Sequence, residues 1–287
     1  MSAVEFYKYG GVTPIDIYIA DAFTSLRFLG NPAAVCIVNE AIDTLKMQQI
    51  AAEMNLSETA FLQKISGNDY SLRWFTPLAE VDLCGHATLA SAHLLWELGH
   101  IKQDQIAHFH TKSGLLTAKL TEDWIALNFP SEPDQPCLEP SPFLLESLEV
   151  TTLYIGKNRF DYLVEVASEE IVKNLKPNFS LLQQVDCRGV IVTSIADNYL
   201  RGGDSSEGGN DFVSRCFFPR FGVNEDPVTG SAHCCLGPYW SRKLSKKSLI
   251  ATQLSHRQGL IKVEMVEDRV ILSGQAVTVM KGIINFQ

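Results

Sequence analysis

An internal repeat is the feature that most constrains how this chain can fold. Residues 80–88 read EVDLCGHAT and residues 225–233 read EDPVTGSAH, so glutamate, glycine and alanine align without gaps. A predicted aromatic strand with a proline precedes each copy, and an apolar helix follows each. Two copies of one supersecondary unit predict two similar halves. The alternative is that each glycine only permits a tight turn between strand and helix.

The repeat also predicts a binding site. A small-residue turn at Gly85 and Gly230 leaves the first N–H groups of a helix free, and the helix dipole adds about half a positive charge there. If a pseudo-twofold axis relates the halves, both helix starts can face one cleft and hold a substrate carboxylate. The same donors would stabilise negative charge on an enolate-like intermediate.

Length and composition allow a packed core in one large domain or two smaller ones. The chain has 287 residues, of which 46% are hydrophobic and 20% charged. A proline-rich, acidic stretch at 130–142 predicts the boundary. We expect an N-terminal half of residues 1–130, joined by a C-terminal strand at about 275–287, and a C-terminal half of residues 131–274.

Apolar patterning predicts short strands that alternate with helices. The predicted strands cover 15–20, 33–38, 70–75 and 211–219, with others between 105 and 130 and between 250 and 284. The predicted helices cover 44–54, 87–98 and 232–244. The polar, glycine-rich stretch 197–210 is predicted to be a loop.

Charge and cysteine content exclude several functional classes. A net charge of −9 argues against binding of nucleic acid or of anionic membrane surfaces. No apolar run reaches 18 residues, and the first residues lack the pattern of a secretory signal. The seven cysteines contain no CxxC pair, so their spacing predicts neither a zinc site nor a disulfide framework. We expect a cytoplasmic protein without a membrane partner.

Six short motifs resemble the PhzF-like (phenazine biosynthesis-like) family, which has the diaminopimelate epimerase fold. They are DAF at 21–23, GNPAAV at 30–35, NLSETAF at 55–61, RWFTP at 73–77, LCGHAT at 83–88 and EDPVTGSAH at 225–233. The resemblance implies an α+β fold of two pseudo-symmetric halves, each a curved mixed sheet around a central helix. It also implies a site between the halves, no metal, no organic cofactor and a homodimer.

The same resemblance implies a reaction. In well-understood members, a glutamate moves a proton on a cyclic amino-hydroxy acid and so isomerises a double bond. That glutamate matches Glu58, and its accompanying residues match His86, Asp226 and Ser231. The chain is therefore expected to be a cofactor-independent isomerase of a small, possibly cyclic, amino or hydroxy carboxylate.

The residues themselves support a site at these positions. Glu58 lies in an otherwise apolar stretch, where desolvation should raise its pKa toward neutrality, as a general acid/base requires. The structural alternatives are capping or turn formation at Glu58, helix capping at Asp226 and Ser231, and a structural hydrogen bond at His86. The further residues expected to bind substrate are Asn31, Cys84, Gly85, Thr229 and Gly230.

One position departs from the epimerase and racemase relatives, which use two opposed cysteines. Cys84 occupies the first position, but Thr229 occupies the second and cannot supply a thiolate. A symmetric two-cysteine racemase is therefore disfavoured. An epimerase or racemase that uses Glu58 with Cys84, a dehydratase, and a non-enzymatic interaction protein that keeps the fold stay open. A serine hydrolase is disfavoured because the chain has no GxSxG turn.

Overall fold

The structure is a computed structural model, and it describes residues 13–200 and 209–286. Most of the predicted loop at 197–210 and the last residue of the predicted C-terminal strand lie outside the described residues. The strands and helices are, in chain order, β1 (Thr13–Ala22), β2 (Asn31–Val38), α1 (Thr44–Met54), β3 (Glu58–Ser66), β4 (Asp69–Phe75), β5 (Glu80–Val81), α2 (Gly85–Glu97), β6 (Ala107–Thr111), β7 (Gly114–Thr121), β8 (Trp124–Pro130), β9 (Gln135–Pro136), α3 (Pro142–Leu148), β10 (Thr152–Lys157), β11 (Asp161–Val166), α4 (Glu169–Asn174), α5 (Phe179–Leu182), β12 (Gly189–Ile195), α6 (Asp197–Leu200), β13 (Phe212–Phe218), β14 (Val223–Asp226), α7 (Gly230–Leu244), β15 (Ser248–Gln253), β16 (Gly259–Val266), β17 (Arg269–Gly274) and β18 (Ala276–Phe286).

The described strands form one continuous mixed sheet. Its order is β18-β1-β2-β3-β4-β6-β7-β8-β17-β16-β15-β13-β12-β11-β10-β9, with β5 added to β4 and β14 added to β13. The antiparallel pair of β8 and β17 lies at the centre of this order and joins its two parts.

The two parts of the sheet have the same topology. The parallel pair β2–β3 corresponds to β11–β12, and the parallel pair β4–β6 corresponds to β13–β15. The remaining neighbours are antiparallel in both parts, and β18 beside β1 corresponds to β9 beside β10. The predicted α+β class with two like halves is therefore confirmed. The residue ranges proposed for the two halves stay a prediction.

Each part of the sheet packs against one long helix that carries a copy of the repeat. Helix α2 contacts β1, β2, β3, β8 and β18, whereas α7 contacts β11, β15, β16 and β17. Each of the two helices also has a hydrogen bond from a side chain in its first turns back to the carbonyl oxygen of its N-cap residue. The Thr88 hydroxyl donates to the Cys84 carbonyl oxygen at 2.5 Å, and His233 Nδ1 lies 2.8 Å from the Thr229 carbonyl oxygen. None of the described helices has the length and apolarity needed to cross a lipid bilayer.

Several elements extend beyond their predicted bounds, among them β1, β2 and the two repeat helices. Helices α2 and α7 begin at Gly85 and Gly230, each two residues before the predicted start. The N–H groups of a first helical turn have no intrahelical partner, so a glycine costs little there and the helix extends back to it. The predicted loop at 197–210 begins with the short helix α6, whose first residue, Asp197, complements the helix dipole.

Candidate active site

The first residues of the two repeat helices, α2 and α7, lie in contact with each other. A Cβ atom placed on Gly85 would lie 3.4 Å from the Gly230 Cα, and one placed on Gly230 would lie 3.5 Å from the Gly85 Cα. The N-cap residues are Cys84 and Thr229, and neither side chain makes a capping hydrogen bond. The positive ends of both helix dipoles therefore meet at one place, as the repeat predicted.

The turn before β2 brings Asn31 to this meeting point. Gly30 has φ of +66°, and a Cβ there would lie 2.2 Å from the Ala22 carbonyl oxygen, so the turn requires glycine. Asn31 is fully buried, and its Nδ2 donates to Asp226 Oδ1 and to the Val228 carbonyl oxygen, both at 2.9 Å. This side chain therefore connects the start of β2 to the loop before α7.

Asp226 is held at the end of β14 by a second set of contacts. The Thr229 hydroxyl donates to Asp226 Oδ2 at 2.5 Å. The buried Gln253 on β15 accepts from the Thr229 N–H at 2.9 Å and donates to the Asp226 carbonyl oxygen at 2.7 Å. With hydrogen bonds to both of its oxygens, the Asp226 carboxyl is fixed in orientation.

Glu58 reaches the site from the first residue of β3. Its Oε2 lies 3.3 Å from His86 Nε2, which is also 3.3 Å from Ser57 Oγ. On the other side of the imidazole, Cys84 Sγ lies 3.4 Å from His86 Nδ1. The His86 side chain is 6% exposed and that of Glu58 is 19% exposed, so the carboxyl retains an opening to solvent.

Burial controls the charge of these groups. It raises the pKa of Glu58 to about 7, and the negative charge of Asp226 adds to this effect. Burial also raises the pKa of Asp226 to about 6, against the hydrogen bonds from Thr229 and Asn31. It lowers the pKa of His86 to about 3, so the imidazole is neutral. The Cys84 thiol stays protonated, because burial and the neighbouring Glu58 raise its pKa.

The two halves contribute their carboxyl groups from different positions. In the first half, β3 begins at Glu58, but the corresponding strand β12 begins at Gly189. A Cβ at Gly189 would lie 2.2 Å from the Phe218 ring, so no side chain fits there. In the second half, Asp226 aligns with Val81 of the first repeat copy. The site is therefore chemically asymmetric within a pseudo-symmetric fold.

Most of the residues expected at the site lie together. The group comprises Asn31, Glu58, Cys84, Gly85, His86, Asp226, Thr229 and Gly230. Ser231 lies half-buried in the first turn of α7, and among the described residues no hydrogen bond joins its side chain to this group. Sequence reasoning missed Ser57, the direct neighbour of Glu58, and Gln253, whose strand carries no local signal for the site.

Comparison with known proteins identifies the family. The family model for phenazine biosynthesis-like proteins matches residues 20–282. An uncharacterized isomerase of Halalkalibacterium halodurans is 57% identical over 267 residues, which cover 93% of this chain and 97% of that protein. A PhzF-family crystal structure from Enterococcus faecalis has 40% identity and a TM-score of 0.85, with 95% and 99% of the two chains covered.

A predicted epimerase has the same fold. The structure of a predicted epimerase from Pseudomonas aeruginosa superposes with a TM-score of 0.69 at 18% identity, covering 93% of this chain and 98% of that one. At that identity the likeness shows the fold alone, and it confirms the expected diaminopimelate epimerase-like fold. The match to the family model and the 57% identity to an isomerase go further: this chain belongs to the phenazine biosynthesis-like (PhzF) family, whose relatives include proteins named as isomerases.

Proposed function

We propose that this protein is a cofactor-independent isomerase that moves a proton on a small amino or hydroxy carboxylate. The observation that carries the proposal is the position of Glu58. A carboxyl group with a pKa of about 7 lies beside the abutting starts of α2 and α7. A general acid/base with a pKa near neutrality can both accept and return a proton at physiological pH.

The helix starts would bind the substrate carboxylate. Uncapped N–H groups from α2 and α7 offer donors without a charged side chain, and the two dipoles add positive potential. The same donors would stabilise the negative charge that develops when a neighbouring C–H bond is ionised. Gly85 and Gly230 are suited to this position because backbone N–H groups there are not shielded by a Cβ atom.

Glu58 would take a proton from one substrate carbon and return it to another, which moves the double bond. His86 and Ser57 would hold the carboxyl in place. His86 Nε2 lies 3.3 Å from Glu58 Oε2, and Ser57 Oγ lies 3.3 Å from the same nitrogen. Asp226, fixed by Asn31 and Thr229, would bind an amino or hydroxyl group of the substrate. The opening to solvent at Glu58 would let its proton exchange with water between turnovers.

Epimerisation is the alternative that a specific observation favours. Glu58 and Asp226 come from different halves, and both have pKa values raised by burial. Two such groups on opposite faces of one carbon could remove and deliver a proton with inversion. The second half offers Thr229 at the position that matches Cys84, so the symmetric two-cysteine scheme stays disfavoured.

The reaction class can be tested without knowing the substrate beforehand. Cyclic and acyclic amino and hydroxy acids are screened for a rise in melting temperature, because ligands that bind the native state stabilise it. Each stabilising acid is then incubated with enzyme in deuterated water. Deuterium at a shifted position supports isomerisation, deuterium with inverted configuration supports epimerisation, and loss of water supports elimination. If no carboxylate binds, a non-enzymatic interaction protein becomes the better account.

We also propose that the protein is a cytoplasmic homodimer. The homodimer follows from the family resemblance. The cytoplasmic location follows from the seven cysteines, whose spacing predicts no disulfide framework. Light scattering of the purified chain would test the oligomeric state, and a monomer at micromolar concentration would contradict it.

A further inference from the structure

Three kinds of metal ligand meet at the candidate site. One ligand atom each from Glu58, Cys84 and His86 can be chosen so that all three lie within 4.8 Å of one another. The cysteine spacing in the sequence carries no signal for such a cluster, because only one cysteine takes part. A thiolate, an imidazole and a carboxylate are the ligand types that Zn²⁺ binds in proteins.

The separations suit a tetrahedral ion. Zinc bonds of about 2.3 Å to sulfur and about 2.0–2.1 Å to nitrogen and oxygen place tetrahedral ligand atoms about 3.3–3.6 Å apart. Cys84 Sγ is 3.4 Å from His86 Nδ1, and Glu58 Oε2 is 3.3 Å from His86 Nε2. One ion can bind only one of these two ring nitrogens, so either Cys84 or Glu58 has to rotate toward the nitrogen that the other already faces.

The carboxyl groups and the access to solvent allow a cation at this position despite the two positive helix starts. Asp226 acts on Glu58 through its negative charge, so two carboxyl groups influence the same small volume. Either ring nitrogen of His86 can bind a metal through its lone pair when it carries no proton. The Glu58 side chain retains an opening to solvent, through which an ion can enter.

We propose that Glu58, Cys84 and His86 together bind one Zn²⁺ ion reversibly and that this ion competes with substrate. On binding, the Cys84 thiol releases its proton to solvent and a Zn–S bond forms. Three protein ligands leave a fourth coordination position for water. The competition rests on the proposed role of Glu58, because a metal-bound carboxylate cannot transfer a proton. The binding itself rests on the geometry alone.

A surface cluster must be separated from this site in any test. His108 Nδ1 and His110 Nε2 lie 3.6 Å and 2.8 Å from Asp69 Oδ1 on the outer face of the first half. Exposed histidines of this kind can bind transition ions weakly. The His110→Asn variant removes the nearer of these two histidines from the surface cluster and leaves the buried cluster intact.

The test is a titration of the purified chain with Co²⁺, which reports a thiolate ligand by charge-transfer absorption, followed by displacement with Zn²⁺. We expect one ion per chain in the wild type, in His110→Asn and in Cys137→Ser, which removes a partly exposed cysteine elsewhere. Cys84→Ser should lose the charge-transfer band, and Glu58→Gln should bind at least about tenfold more weakly. His86→Asn serves as a second ligand variant if Cys84→Ser fails to fold.

An unchanged charge-transfer band in Cys84→Ser would overturn the proposal, and so would the absence of such a band in the wild type. Neither result would affect the proposed isomerase, because no turnover is measured. Conversely, a folded protein that binds zinc here but never exchanges deuterium into any carboxylate would contradict the proposed function and still support the metal site.

Discussion

Asn31 and Asp226 are separated by 195 positions in the chain but are joined by a hydrogen bond of 2.9 Å. The amide comes from the start of β2 and the carboxyl from the end of β14, so this bond connects the two halves at the candidate site. Both side chains are buried, so the bond fixes the position of Asp226 relative to the Glu58 side of the site.

Asn31→Ala should weaken the fold in a pH-dependent way. It leaves the Asp226 carboxyl and the Val228 carbonyl without this donor, at a cost of about 2 kcal/mol near pH 7.5. The cost should shrink below about pH 6, where Asp226 takes up a proton and needs the donor less. Urea denaturation at several pH values measures this, with the exposed Asn174→Ala expected to change stability by less than about 0.5 kcal/mol. An equal loss at pH 5 and pH 7.5 would contradict the prediction.

Glu58→Gln should stabilise the protein at alkaline pH. The pKa of Glu58 is raised from its ordinary 4.5 to about 7, so between these values the folded state binds the proton that the unfolded state has released. This group therefore stabilises the fold least above pH 7, where the buried carboxylate is charged. Glutamine removes that penalty, with a gain of up to about 3 kcal/mol at pH 8 and almost none at pH 4.

Thermal unfolding at pH 4 and pH 8 measures this difference. The control is Glu53→Gln, the same substitution at an exposed position on α1, which should follow the wild type at both pH values. A loss of stability at pH 8 in Glu58→Gln would mean that Glu58 is held by favourable contacts of its charged form.

Gly85→Ala should impair carboxylate binding more than folding. The added methyl group would sit 3.4 Å from the Gly230 Cα, an ordinary contact, so the melting temperature should change by only a few degrees. The methyl group would nevertheless partly fill the meeting point of the two helix starts. We expect about a tenfold loss of affinity for any carboxylate that stabilises the wild type, measured by calorimetry. Unchanged affinity would show that the carboxylate binds elsewhere.

Gln253→Leu should destabilise the loop that carries Asp226. The substitution leaves the Thr229 N–H and the Asp226 carbonyl oxygen unpaired inside the protein, which costs about 3 kcal/mol. Gln183→Leu, on the surface after α5, is the matched control and should have little effect. If both variants unfold at the same urea concentration as the wild type, Gln253 does not hold the loop.

The fold could be predicted from the sequence where the apolar periodicity or the internal repeat was strong. Helix α1 has the predicted bounds, and the repeat predicted two halves whose helix starts face each other. The predicted starts of α2 and α7 are two residues late, because glycine is typical of turns and the sequence does not show that Gly85 and Gly230 meet.

The sequence carried less information about contacts between distant residues. Glu58 stood out because it interrupts an apolar stretch, and His86 because it follows the repeat glycine. Gln253 shares no pattern with either, since its role depends on β15 pairing beside β13 and thereby reaching the loop before α7. The grouping of Glu58, Cys84 and His86 as metal ligands likewise depends on β3 meeting α2 in space.

The most direct test of the account is solvent exchange by Glu58→Gln. Wild type, Glu58→Gln and the control Glu53→Gln are incubated in deuterated water with a carboxylate that stabilises all three. Deuterium in the carbon-bound positions of the recovered acid is then measured by mass spectrometry. We expect incorporation by the wild type and by Glu53→Gln, and a rate at least about 100-fold lower for Glu58→Gln, from which a general acid/base has been removed. Incorporation by Glu58→Gln at the wild-type rate would contradict the assignment of proton transfer to Glu58.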